Sequence, residues 1–66
     1  MLLEDLYKVL PSDYMTNVYL ENTLVWRGIT WVFLYDKVYT RFRTYAVMKF
    51  ETDYYNEEVT ITISRR

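Results

Sequence analysis

The chain contains no cysteine and no histidine, and it has a single glycine and a single proline. Without cysteine there is neither a disulfide nor a thiolate nucleophile. Without either residue a zinc site lacks its usual ligands. The side chain that most often carries acid–base chemistry at neutral pH is missing as well. One glycine, Gly28, is too few for a phosphate-cradling loop or a dinucleotide fingerprint. The two serines, Ser12 and Ser64, have no histidine to activate them. What remains for catalysis is a carboxylate pair, Glu57 with Glu58 or Glu51 with Asp53. These acids flank an expected hairpin loop, where charges are ordinarily solvated, and they lack the spacing of a calcium loop. A histidine-free ribonuclease using Arg41, Arg43, Lys49 and a tyrosine has no motif behind it. The chain therefore reads as non-enzymatic, with no cofactor and no small-molecule substrate.

Long apolar runs are also missing. The longest uncharged one, Ile29 to Tyr35, is far shorter than the ~20 residues a membrane helix needs. The opening MLLEDLYKVL carries acids where a secretion signal carries bases. The expectation is a cytoplasmic protein without membrane contact.

What the chain does have is aromatic surface: eight tyrosines, three phenylalanines and two tryptophans in 66 residues. A chain of this length makes one domain, residues 1–66, and buries only about 60% of its unfolded surface. Large rings let it build a core from few residues, but more of them are present than a small core holds. The net charge of −1 gives no overall attraction to nucleic acid. The charge is nevertheless segregated, with Lys37, Arg41, Arg43 and Lys49 in one stretch and Glu51, Asp53, Glu57 and Glu58 in the next.

Leu2, Leu3, Leu6, Tyr7, Val9 and Leu10 recur at three and four with Glu4, Asp5 and Lys8 between them, which predicts an amphipathic helix over 2–10. Pro11 stops it and Ser12-Asp13 turns the chain. Tyr14 to Leu20 and Thr23 to Arg27 are rich in β-formers around Glu21-Asn22 and read as a hairpin. Gly28 marks a point where a Cβ would clash or φ is positive. Residues 29–43 are ambiguous. Trp31, Leu34, Tyr35, Val38, Phe42 and Tyr45 fall at helical spacing in a composition that favours strand. Thr30 as N-cap supports a helix over about 30–40, with a pair of strands as the alternative; on the helical reading Trp31, Leu34, Val38 and Phe42 are core. Alternation over 44–53 and 57–64 predicts a second hairpin, with Asp53 to Asn56 as its loop. The expected fold is α+β, in the order α-β-β-α-β-β, with a four-stranded antiparallel sheet and helices on one face.

Two kinds of partner fit this surface. Trp, Tyr and Arg are enriched in protein-binding hot spots, which points to a protein partner or to a homodimer or other homo-oligomer. The candidate contact residues are Tyr39, Arg41, Arg43, Tyr45 and Lys49, with Tyr54 and Tyr55 at the acidic loop. The alternation of basic and aromatic residues over 39–49 also suits single-stranded nucleic acid lying on a sheet, although the neighbouring acids oppose it. A small self-assembling structural component is a third possibility.

Residues 1–28 carry a pattern, VLPSD followed by VYLEN and LVWRG, held by Leu10, Pro11, Asp13, Val18, Tyr19, Trp26 and Gly28. In this it resembles small accessory proteins of phages and mobile elements of Gram-positive bacteria. The resemblance implies an accessory role, such as stoichiometric inhibition of a host defence system of the CRISPR kind, and implies no catalytic residue.

Overall fold

Burial alternates strictly along residues 58–64: Val59, Ile61 and Ile63 have no exposed surface, and the residues between them are half-buried. That strand sits at the centre of the molecule. In the computed structural model, which describes residues 1–65, the elements are α1 (Leu3–Tyr7), β1 (Met15–Leu20), β2 (Thr23–Ile29), α2 (Thr30–Phe33), α3 (Lys37–Phe42), β3 (Ala46–Asp53) and β4 (Glu58–Ser64). Leu3, Leu6, Tyr7, Phe33 and Phe42 from the helices meet Val18, Val59, Ile61 and Ile63 from the sheet in one core.

The α+β class and the two hairpins are as expected, but the sheet is mixed. Its order is β2-β1-β4-β3, with antiparallel outer pairs and β1 running parallel to β4. The cause lies in the connection. Residues 30–45 form a crossover longer than the dozen or so residues that parallel neighbours require, and it carries the chain from one edge of the sheet to the other. β1 and β4 offer the fully buried faces, Thr16 and Val18 against Val59 and Ile61, so they take the middle. β2 and β3, with Arg27 and Lys49, become edges.

The helix expected over about 30–40 is broken in two. Valine, tryptophan, tyrosine and threonine propagate a helix poorly. Asp36 also adopts an extended conformation and accepts the Val38 N–H at 2.8 Å, so that a new helix starts there. Ile29, not Thr30, takes the N-cap position of α2. The interruption changes which side chains face inward. Phe42 is buried and Val38 half-buried as expected, whereas Trp31 and Leu34 are exposed and Phe33 takes the core position. α1 is likewise shorter than the 2–10 expected, because the residues before Pro11 turn instead.

Gly28 has no positive φ; its reason is space. A Cβ there would lie 2.8 Å from Cη2 of Trp26, whose indole lies over the glycine and packs on Phe33 at 4.4 Å between ring centroids. In the second hairpin Met48 is bulged, so Val47 faces Ile63 on the core side while Lys49 and Glu51 face Thr62 and Thr60 on the helix-free side. The N-terminus lies along the start of β3, with the Val47 N–H donating to the Met1 carbonyl at 2.8 Å and the Leu3 N–H to that of Tyr45 at 2.9 Å.

Candidate protein-binding surface

α2 is a single turn held by its inward residues. The Thr30 N–H donates to the Tyr14 carbonyl at 2.8 Å, and the Thr30 hydroxyl donates to the same oxygen at 2.7 Å. With that proton committed, the Thr16 hydroxyl is the donor in its 2.6 Å bond to Thr30 Oγ1. The Tyr7 hydroxyl donates to the Thr30 carbonyl at 2.9 Å, and burial pushes the Tyr7 phenol well above its ordinary range. Three residues on, the fully buried Phe33 ring lies between Trp26, Tyr7 and Tyr39. Residues three apart share a helix face, so fixing Thr30 and Phe33 inward turns the residues between and after them outward.

The outward set is apolar. Trp31 is 53% exposed and Tyr35 83%, with Val32, Leu34 and the preceding Ile29 also exposed. The Trp31 and Tyr35 rings meet edge to face at 6.3 Å, a favourable aromatic geometry. The Trp31 N–H donates to the Ser12 carbonyl at 3.1 Å, which ties this end of the turn to the loop after α1. The result is a run of large apolar side chains on a turn whose position is fixed by buried hydrogen bonds. Spacing alone assigned Trp31 to the core; the signal that could have reversed this was Thr30-x-x-Phe33 followed by the cap residue Asp36.

The seven residues singled out by sequence are not brought together. Tyr39 is half-buried against Tyr7 and Phe33, and its phenol is raised by burial and by the Glu4 carboxylate, with Arg43 opposing. Arg41 is exposed and its guanidinium lies 5.5 Å from the Phe42 ring centroid. Arg43 donates to Glu4 at 2.9 Å, tying the end of α3 to α1, and Tyr45 packs edge-on against Phe42 at 4.9 Å. Lys49 lies on the opposite, helix-free face. Tyr54 and Tyr55 are exposed at the far hairpin turn, where Asp53 accepts the N–H groups of Tyr55 and Asn56 at 3.1 Å each.

The helix-free face of the sheet carries Tyr19, Asn17, Thr60 and Thr62, and sets Arg27 and Lys49 against Glu51, Asp53 and Glu58. Asn17 donates to Glu58 at 3.0 Å, and Arg27 pairs with the same carboxylate at 3.9 Å. The basic and aromatic residues over 39–45 belong to α3 and its exit, not to this sheet face. Among the described residues no cluster of three or more Asp and Glu is placed to hold a metal ion, and no helix is long and apolar enough to cross a membrane. Set beside protein families, curated proteins and solved structures, the chain matches none of them.

Proposed function

We propose that this domain is a non-enzymatic protein-binding module that acts by stoichiometric contact, with the α2 surface as its centre. The observation that carries the reading is the contiguous exposure of Ile29, Trp31, Val32, Leu34 and Tyr35 on a turn anchored by Thr30 and Phe33. An exposed apolar cluster of this kind, containing a tryptophan and a tyrosine held in place, has the composition of a binding hot spot. Pre-fixing the turn lowers the entropy lost on association. The resemblance of residues 1–28 to mobile-element accessory proteins supports a bacterial defence component as the target, with inhibition by occupancy. The basic side chains Arg41 and Arg43 form a rim contribution at most, because Arg43 is already paired with Glu4.

The test is affinity capture from a Gram-positive bacterial lysate at low and high salt, comparing the wild-type protein with Trp31→Ser/Tyr35→Ser and with Arg41→Glu/Arg43→Glu. A protein retained by the wild type at high salt, lost with the Trp31/Tyr35 variant and kept by the arginine variant, supports the reading. Loss with the arginine variant alone returns the contact to the basic stretch. Nucleic acid released by salt identifies a phosphate-driven contact instead.

A further inference from the structure

We propose that two copies of the chain join edge to edge through β3, around a two-fold axis at Phe50, with Lys49 of each copy facing Glu51 of the other. This inference does not rest on the α2 surface. That surface flanks β2 at the opposite edge of the sheet, so it stays free in such a dimer.

The sheet has two edges, and they differ. β2 is interrupted in its middle, where the register with β1 slips and Val25 has no opposite residue. β3 slips only near its start, at Met48, and runs regularly from Lys49 to Asp53. The N-terminal residues cover its outer edge as far as Val47, and beyond that point no strand of the described chain covers it. An uncovered edge of this length is a template for a further strand. It also carries large exposed apolar side chains, Met48 at 62% and Phe50 at 46%.

Symmetry limits how a second β3 can add. In an antiparallel two-fold pair opposed residues share a face, so the axis passes through a residue and each register sets a distinct charge pattern. An axis at Lys49 opposes two lysines; an axis at Glu51 sets Lys49 against the partner's Asp53 twice but opposes two glutamates on the axis itself, and like charges in directly opposed positions are destabilising. An axis at Phe50 sets Lys49 against the partner's Glu51 twice and stacks Phe50 beside the partner's Phe50, the one pairing of these three that opposes no like charges. Regular pairing in this register spans Lys49 to Glu51 of each copy and stops at the bulge of Met48, because Val47 is already bonded to Met1. The helix faces of both copies then point the same way, giving one continuous eight-stranded sheet.

Sedimentation equilibrium of Lys49→Glu, Glu51→Lys and their equimolar mixture tests the pairing. Each single reversal puts two like-charged pairs across the axis and weakens self-association about tenfold. In the mixture each variant complements the other, so association recovers to within about threefold of wild type. Both side chains are exposed opposite threonines, and unchanged urea midpoints verify that the fold is kept. Phe50→Lys, which sets two cations on the axis, is a second disruption independent of those charges. A wild-type chain that stays monomeric at every attainable concentration overturns the proposal. So does association indifferent to Glu51→Lys, or a mixture that fails to recover.

Discussion

Replacing Gly28 with alanine introduces one methyl group whose cost can be worked from its surroundings. Its Cβ would sit 2.8 Å from Cη2 and 2.9 Å from Cζ2 of Trp26, and ordinary contact begins near 3.4 Å, so the ring or the strand must withdraw by about 0.6 Å. The indole is not free to do so. It packs at 4.4 Å on Phe33, which has no exposed surface and touches Tyr7 and Tyr39 as well. Overpacking of this size costs about 1–3 kcal/mol, while the lost freedom of the unfolded chain returns about 0.4–1 kcal/mol. The net expectation for Gly28→Ala is a loss of about 1–2 kcal/mol, or a fall in Tm of about 5–15 °C for a domain of this size. Urea unfolding followed by far-ultraviolet circular dichroism measures it. The decisive comparison is the same change in a Trp26→Phe background, where the shorter ring leaves room for the methyl group. There Gly28→Ala is neutral or stabilising by up to about 1 kcal/mol. A Gly28→Ala change that is harmless in the wild type, or equally harmful in both backgrounds, refutes the close approach as the reason for the glycine.

Thr30→Val leaves the buried Thr16 hydroxyl without its acceptor and costs about 1–2 kcal/mol in urea unfolding, whereas Thr16→Val/Thr30→Val costs no more than the single change, because no orphaned hydroxyl remains. Glu57 sits at φ 55°, a left-handed conformation that a glycine enters without strain, so Glu57→Gly raises stability by about 0.5–1 kcal/mol in the same assay. Bonds from the Asn56 amide and from the N–H groups of Asn56 and Tyr55 hold the Asp53 carboxyl below its ordinary range. A group whose folded value is depressed stabilises the turn above its unfolded value and loses that contribution as pH falls through the folded one. The Tyr55 and Asn56 amide resonances should therefore move with acid below the usual carboxylate range, and should be pH-independent there in Asp53→Asn.

Local patterns reported the strands well and the helices less so. The period-two alternation of Val59, Ile61 and Ile63 gave β4, and Glu21-Asn22 between β-forming runs gave the first hairpin. The joining of the two hairpins depends on where the crossover lands, which no short window contains, and so the parallel β1–β4 pairing was not legible. The outward set of α2 was hidden for a different reason. The phase of that turn is set by Thr30, a polar residue whose buried hydroxyl bonds outweigh the apolar pull of Trp31. A hydrophobic periodicity scores threonine as surface and tryptophan as core, so it inverts the face. Tyr54 and Tyr55, which the sequence places at an acidic loop, are exposed there. Tyr39 and Lys49 alternate suitably in sequence, yet one is on a helix facing the core and the other on the far side of the sheet.

The most direct check on the α2 surface is the fluorescence of Trp31 alone, in the Trp26→Phe protein, read with acrylamide before and after adding the high-salt capture partner. Trp31 should emit as a water-exposed indole and quench freely in the isolated domain, then shift to the blue and become protected in the complex. A shielded Trp31 in the isolated domain would place that side chain inside the fold. A Trp31 that stays fully quenchable in the complex would mean that the partner binds elsewhere.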